Sequence, residues 1–140
     1  MEINKKCNFH SVYNLKYHLV LVTKYRKKCI NNILYQYLFS LTKELCNKWD
    51  VELIEINHDL DHIHMMLEIP PQVQISKFVN NYKTVTSRLM RKDLKEYLDK
   101  FYWKDNFWSS SYLILSCGGA PIEIIRVYIK NQGKIKYPTL

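Results

Sequence analysis

Residues 61–69 have the sequence DHIHMMLEI, in which apolar side chains stand at every second position. Side chains of a β-strand point alternately to the two faces of a sheet, so this period predicts a strand with one apolar and one polar face. The apolar face carries Ile63, Met65, Leu67 and Ile69. The polar face carries His62, His64 and Glu68, so we expect the two histidines to lie outside the core.

Four strands and three helices are predicted along the chain. Val51–Asn57 forms a hairpin with the histidine strand through a tight turn at residues 59–61. The other predicted elements are strands at Leu15–Thr23 and Phe107–Leu115, and helices at Asn31–Lys48, Ile75–Leu98 and Pro121–Gln132. This order predicts an α+β fold of the ferredoxin-like or RRM-like kind, with an antiparallel sheet and the first two helices on one face. With three glycines and no low-complexity stretch, residues 1–140 are expected to form a single domain that ends in an additional C-terminal helix.

The composition points to a polyanionic partner. The chain has 21 lysines and arginines against 13 aspartates and glutamates, a formal net charge of +8 at pH 7. This balance favours a nucleic acid or an anionic membrane surface as the partner, but it does not indicate any particular reaction. No apolar run reaches the roughly 18 residues that a membrane span needs, and the polar N-terminus does not resemble a signal peptide. We therefore expect a soluble, cytoplasmic protein that does not bind membranes.

Two basic stretches are candidates for contacting DNA phosphates. One follows the first predicted strand, and the other lies on the polar side of the second helix. The candidate residues are Lys24, Arg26, Lys27, Lys28, Arg88, Arg91 and Lys92. A solvated surface explains the same charges equally well, so both interpretations stay open.

The histidine pair is a candidate metal site. Two neutral imidazoles at positions i and i+2 of one strand face can bind a single divalent ion, because histidine nitrogen is the commonest metal ligand among side chains. The alternative is a polar strand face on which His62 and His64 have no joint role.

A second pair of residues lies on the last predicted helix, where Tyr128 and Gln132 stand at i and i+4 on one side. Taken alone, each is typical of an ordinary helical surface. Together with the histidines they describe a reaction, in which a phenol attacks a phosphodiester while a metal polarises the phosphate. Two imidazoles and the Gln132 amide oxygen would supply three ligands, a set that suits Mn²⁺ better than Mg²⁺. The products would be a 5′-phosphotyrosine and a free 3′-hydroxyl, so rejoining needs no ATP.

In their order along the chain, these motifs resemble those of the single-tyrosine HUH transposases. These are the TnpA-type enzymes of small bacterial and archaeal insertion sequences that move as single-stranded DNA. The resemblance runs from about Tyr13 to Gln132. It rests on Tyr17-His18-Leu19-Val20, the basic stretch Lys24–Lys28, Asp61-His62-Ile63-His64, Pro70-Pro71 and Tyr128-Ile129-Lys130-Asn131-Gln132.

The resemblance implies a role for each of these residues. His62 and His64 would be metal ligands, Gln132 the third ligand and Tyr128 the nucleophile, with Mg²⁺ or Mn²⁺ as the cofactor. The family acts as a homodimer with active sites shared between subunits, because the C-terminal helix of one subunit brings its tyrosine to the histidines of the other. The substrate would be a hairpin in single-stranded DNA near each end of the element, and the segment 117–120 would be the hinge of the helix.

Two other functions stay open. A non-catalytic, single-stranded nucleic-acid-binding module of the RRM kind would stack bases on aromatic side chains of the sheet, and no aromatic pair stands at the required strand spacing. That alternative also leaves the histidine pair unexplained. A domesticated HUH nickase that acts on chromosomal palindromes would use the same residues as a transposase.

Overall fold

A four-stranded antiparallel sheet forms the centre of the protein. The computed structural model describes residues 6–7, 12–117 and 122–132. Six strands lie in these ranges: β1 (Lys6–Cys7), β2 (Val12–Tyr13), β3 (Lys16–Val22), β4 (Glu52–His58), β5 (His62–Glu68) and β6 (Leu113–Ser116). β1 pairs with β2, while the main sheet has the order β4-β5-β3-β6, with every neighbouring pair antiparallel.

Four helices accompany the sheet: α1 (Asn32–Lys48), α2 (Ile75–Asp93), α3 (Lys95–Leu98) and α4 (Ile122–Asn131). The side chain of Asn31 caps α1 by accepting a hydrogen bond from the Leu34 amide at 2.8 Å. The strand order and the helix positions confirm the predicted α+β, ferredoxin-like plan with a C-terminal helix. Among the described residues, no helix has both the length and the apolar character that crossing a membrane would require.

The prediction of one helix from Ile75 to Leu98 is wrong at its C-terminal end. α2 stops at Asp93, and Leu94 leaves helical geometry with φ −118° and ψ 32° before α3 begins. The break redirects the chain so that Leu98 and Tyr102 enter the core, where they are 0% and 2% exposed. Packing of these two side chains therefore overrides the helical spacing.

The predicted strand from Phe107 to Leu115 is also too long. Only its end becomes β6, and the earlier part joins the sheet through a single bridge between Thr23 and Trp108. The indole N–H of Trp108 donates to Thr86 Oγ1 on α2 at 2.9 Å, which fixes this irregular segment at the sheet edge.

Each face of the sheet has its own core. The helix-covered face packs the apolar side of β5 against α1 and α2, as the period-two pattern predicts. On the opposite face, α4 packs against β3 and β6 through a smaller apolar cluster. The cluster consists of Val20, Val22 and Ile125, with Leu113, Leu115, Tyr128 and Ile129 packed around them. α4 therefore lies on the histidine face of its own chain.

Candidate active site

His62 begins β5 and is oriented by its neighbour Asp61. The His62 Nδ1 atom lies 2.8 Å from Asp61 Oδ1, while Asp61 Oδ2 accepts from Arg26 Nε at 3.1 Å. Burial raises the pKa of the Asp61 carboxyl, but the hydrogen bonds and charges of His62 and Arg26 outweigh burial and hold it below its usual value. An ionised carboxylate on Nδ1 favours the tautomer whose Nε2 lone pair is free to bind a metal.

His64 faces another histidine instead of a carboxylate. Its Nε2 atom lies 2.9 Å from His18 Nδ1 on the neighbouring strand β3, so one ring donates to the other. Burial, followed by the nearby His18, lowers the pKa of His64 and favours its neutral form. The two rings border a cavity of about 50 Å³ that Glu55, Asn57 and Met66 complete.

These side chains fit a divalent ion. Both imidazoles share the face opposite the main core, one is oriented by a carboxylate, and the other is held neutral. Ligand atoms of Asp59, Asp61 and His62 also lie within 4.8 Å of one another. Both oxygens of Asp61 already bind His62 and Arg26. This carboxylate therefore orients the histidine and would not itself be a metal ligand.

Tyr128 and Gln132 bind a serine-rich segment at the edge of the sheet. The Tyr128 hydroxyl lies 2.8 Å from Ser111 Oγ. Gln132 is only 2% exposed, and its Oε1 accepts from Ser109 Oγ at 3.0 Å and Ser111 Oγ at 3.4 Å. Ser111 therefore connects the phenol of Tyr128 to the amide of Gln132. To bind a metal, the Gln132 oxygen would have to give up one of its hydrogen bonds to the serine hydroxyls.

The two halves of the candidate site face each other across β3. Val20 pairs with His64 on one side and with Leu113 of β6 on the other, while Val22 pairs with His62. Adjacent strands lie about 4.8 Å apart, so the histidine backbone is roughly 10 Å from the segment that holds Tyr128. The structure thus brings all four predicted site residues to one face, with β3 between the two pairs.

The predicted DNA-binding residues divide into three groups. Arg26 is used internally, since it binds Asp61 and donates through Nη1 to the Lys130 carbonyl of α4 at 3.2 Å. Lys27 and Lys28 are exposed and Lys24 is half-buried, all beside Arg26 in the same turn. The three on α2 (Arg88, Arg91 and Lys92) line a groove, in which Arg91 is buried and paired with Asp99.

Three residues that contact the predicted site residues were not identified from the sequence: Ser109, Ser111 and His18. Ser109 and Ser111 stand in a serine triplet, which is common in loops and carries no spacing signal. His18 shares a face with Val20 by strand alternation, but the wholly apolar centre of its strand hid this signal. The predicted hinge covers Cys117 and Gly118–Ala120, and the latter lie outside the described residues.

Comparisons with known proteins agree on one family. The family described as "Transposase IS200 like" matches residues 11–132. The transposase for insertion sequence element IS200 from Salmonella typhimurium is 31% identical over 129 residues, 92% of this chain and 84% of that protein. The ISDra2 transposase TnpA from Deinococcus radiodurans is 30% identical over 121 residues, 86% of each chain.

Solved structures show the same relationship. A crystal structure of a chain from Deinococcus radiodurans R1, assigned as a transposase, superposes with a TM-score of 0.83 and 29% identity, covering 91% of this chain and 97% of that one. A REP-associated tyrosine transposase bound to a REP hairpin shares the fold alone, with a TM-score of 0.52 at 11% identity over 91% of this chain and 70% of that one. Fold and matches together define a transposase, a class of DNA-processing enzyme. The chain belongs to the IS200-like, single-tyrosine (Y1) HUH transposase family.

Proposed function

We propose that the protein cleaves and rejoins single-stranded DNA at hairpin-marked element ends, through a 5′-phosphotyrosine formed on Tyr128. The observation that carries the proposal is the shared sheet face, on which a hydrogen-bonded phenol and two imidazoles lie on opposite sides of β3. His62, His64 and Gln132 would hold a divalent ion, Mg²⁺ or Mn²⁺. When bound, that ion would supply charge neutralisation at the phosphate.

The serine network prepares the phenol for attack. When Ser111 Oγ donates to Gln132 Oε1, its own lone pairs accept the Tyr128 proton, which leaves the phenol lone pairs directed away from the serine. In the reaction the Tyr128 oxygen forms a bond to phosphorus and the 3′-oxygen of the preceding nucleotide leaves as a hydroxyl. The phenol proton passes to water, the leaving 3′-oxygen takes a proton from water, and attack by a 3′-hydroxyl on the phosphotyrosine reverses the sequence.

The proposal includes the partners. A net charge of +8 supports a polyanionic substrate, and a distant structural relative binds a REP hairpin. We propose that residues 1–140 act as one domain and pair as a cytoplasmic homodimer with active sites shared between subunits. Ile124 and Val127 on α4 are 43% and 52% exposed, and a second subunit would cover this apolar surface.

Substitution of Tyr128 by phenylalanine tests the chemistry. The substrate is single-stranded DNA from the flank of the gene, with a subterminal hairpin and a label at its 3′ end, incubated with Mn²⁺ and analysed on a denaturing gel. The unmodified chain should form a labelled covalent adduct, and Tyr128→Phe should form none because it lacks the attacking oxygen. Hairpin affinity should be unchanged, since the substitution removes a single hydroxyl group, which lies 2.8 Å from Ser111 Oγ within the protein.

The control is Tyr35→Phe, because this ring stacks on His58 of the opposite sheet edge. It should form the adduct at the unmodified rate. Adduct formation by Tyr128→Phe would exclude Tyr128 as the nucleophile. Binding without any adduct by the unmodified chain would instead favour the non-catalytic single-stranded nucleic-acid-binding module.

A further inference from the structure

A basic groove lies behind the segment that holds Tyr128 and Gln132. α2 forms one wall and residues 105–110 form the other, enclosing about 550 Å³, which is within the range of ligand sites. Its cations are Lys83, Arg88, Arg91 and Lys92, and the carboxylate of Asp105 is the one acidic group in the lining. The groove therefore concentrates positive charge.

The buried guanidinium group of Arg91 has N–H donors without hydrogen-bond acceptors among the described residues. Its side chain is 7% exposed, and Nη2 donates to Asp99 Oδ1 at 2.8 Å. Nε and Nη1 are buried without a hydrogen-bond partner among the described residues, and Asp105 Oδ1 is 3.9 Å from Nε. A buried guanidinium with unused donors is costly on its own, and a phosphate oxygen is the acceptor that guanidinium binds best.

From these contacts we infer that the groove binds the phosphodiester backbone of the single-stranded DNA that leads to Tyr128. A phosphate would take the place of Asp105 beside Arg91, because that carboxylate is 98% exposed and is not within hydrogen-bond distance. The inference rests on the proposed function for the identity of the strand. It adds a binding site that is separate from the cleavage chemistry.

The groove is continuous with the candidate active site. Ser109 and Ser110 line it, and Ser109 Oγ also binds Gln132. Lys83 Nζ donates to the Ser111 carbonyl at 3.4 Å, and burial lowers the pKa of this lysine. Because β6 is an edge strand, a DNA strand can pass from the Tyr128 side across residues 109–111 into the groove.

The aromatic residues at the base of the groove indicate which part of the DNA the groove contacts. Trp108 is 7% exposed and its indole N–H is already bound to Thr86, while Phe107 is 1% exposed. Neither ring is available as a platform for base stacking, so we expect the cations of the groove to contact phosphates. Binding there should be independent of DNA sequence.

The test measures binding of fluorescein-labelled oligo-dT to the full chain carrying Tyr128→Phe, so that no cleavage takes place. Arg88→Gln should weaken binding about three- to tenfold and reduce the slope of log affinity against log salt by about 1, because one phosphate contact is lost. Asp105→Asn should tighten binding about two- to fivefold, because a competing carboxylate is removed. Oligo-dA should show the same ratios.

Lys77→Gln is the matched control, because this exposed lysine lies on α2 outside the groove. It should bind oligo-dT with unchanged affinity and salt slope. Unchanged affinity and salt slope in both Arg88→Gln and Asp105→Asn would overturn the inference, as would equal losses in Arg88→Gln and Lys77→Gln. Because the readout is binding without chemistry, neither result affects the test of Tyr128 as the nucleophile.

Discussion

At the scale of single residues, the two strand histidines differ in their surroundings. His62 has a carboxylate on Nδ1, whereas His64 has the imidazole of His18 at its Nε2. A metal on His64 Nε2 would therefore displace the His18 contact, while a metal on His62 Nε2 would leave the Asp61 contact in place. A bound metal would thus disrupt a hydrogen bond at His64 but not at His62, whereas alanine would remove one hydrogen bond at either position.

Alanine substitutions test the roles of both histidines. His62→Ala and His64→Ala should each abolish cleavage and reduce Mn²⁺ affinity by at least about tenfold, since each removes a proposed ligand. Both chains should stay folded because the histidines lie on the face opposite the main core. Each substitution should cost about 1 kcal/mol, since His64→Ala loses the hydrogen bond to His18 and His62→Ala loses the one to Asp61. Calorimetric titration with Mn²⁺ measures the loss of metal affinity, and thermal denaturation measures the loss of stability.

His58→Ala is the control for these variants. His58 ends β4 and stacks on Tyr35, with ring centroids 3.8 Å apart. Its loss should leave Mn²⁺ affinity and cleavage unchanged. Full Mn²⁺ affinity in either His62→Ala or His64→Ala would remove that residue from the proposed ligand set.

At the scale of elements, α4 is held on its sheet by polar contacts as well as by its apolar side, and Arg26 makes one of them away from the serine segment. Arg26 donates to Asp61 and to the Lys130 carbonyl, and so joins the start of β5 to the C-terminal end of α4. Tyr25 and Arg26 have φ values of 58° and 52°, a left-handed backbone that is unfavourable for residues other than glycine. The strained turn therefore places the guanidinium between the two elements.

Removing this contact should loosen α4 selectively. Arg26→Gln should increase hydrogen exchange of the α4 amides about three- to tenfold while exchange in α1 and β3 is unchanged, because about 1 kcal/mol of charge-assisted bonding is lost. Lys27→Gln, at the exposed next position, should not alter exchange. Equal protection of α4 in the Arg26→Gln and unmodified chains would show that apolar packing and the serine contacts fix the helix without Arg26.

Among the elements, β5 and the hairpin could be predicted because burial of one strand face imposes a period of two on the sequence. The end of α2 could not, since Leu94 and Leu98 continue the helical spacing and only packing of Leu98 and Tyr102 reveals the break. The irregular course of residues 107–112 depends on the contact between Trp108 and Thr86, which are distant in sequence.

The candidate site, too, could be predicted from the sequence only in part. His62 and His64 could be placed on one strand face from their spacing, as could Tyr128 and Gln132 on one helix side. That the two pairs share a sheet face follows from the packing of α4 on Val20 and Val22, which are apolar residues in a strand with apolar residues on both faces. Ser111 became part of the site only through that packing.

At the scale of the whole molecule, the sheet separates two kinds of surface. One face buries the main core under α1 and α2, and the other carries the histidines and α4. The groove lies between α2 and the sheet edge, so a DNA strand would reach both sides of β6. The larger of the two cores therefore lies on the face opposite the candidate site, and for this reason substitutions of the site residues should leave the fold intact.

Mixing two inactive chains tests whether the sites are shared between subunits. A His64→Ala chain keeps Tyr128, and a Tyr128→Phe chain keeps the histidines. If α4 is exchanged in the homodimer, a mixed dimer has one site with both groups intact, so refolding equal amounts together should restore about one quarter of the unmodified cleavage. The apolar contacts of α4 with Val20 and Val22 would be the same in either arrangement. The labelled DNA adduct is the readout, and its absence from the mixture, with dimers confirmed by light scattering, would mean that α4 acts on its own sheet as in the structure.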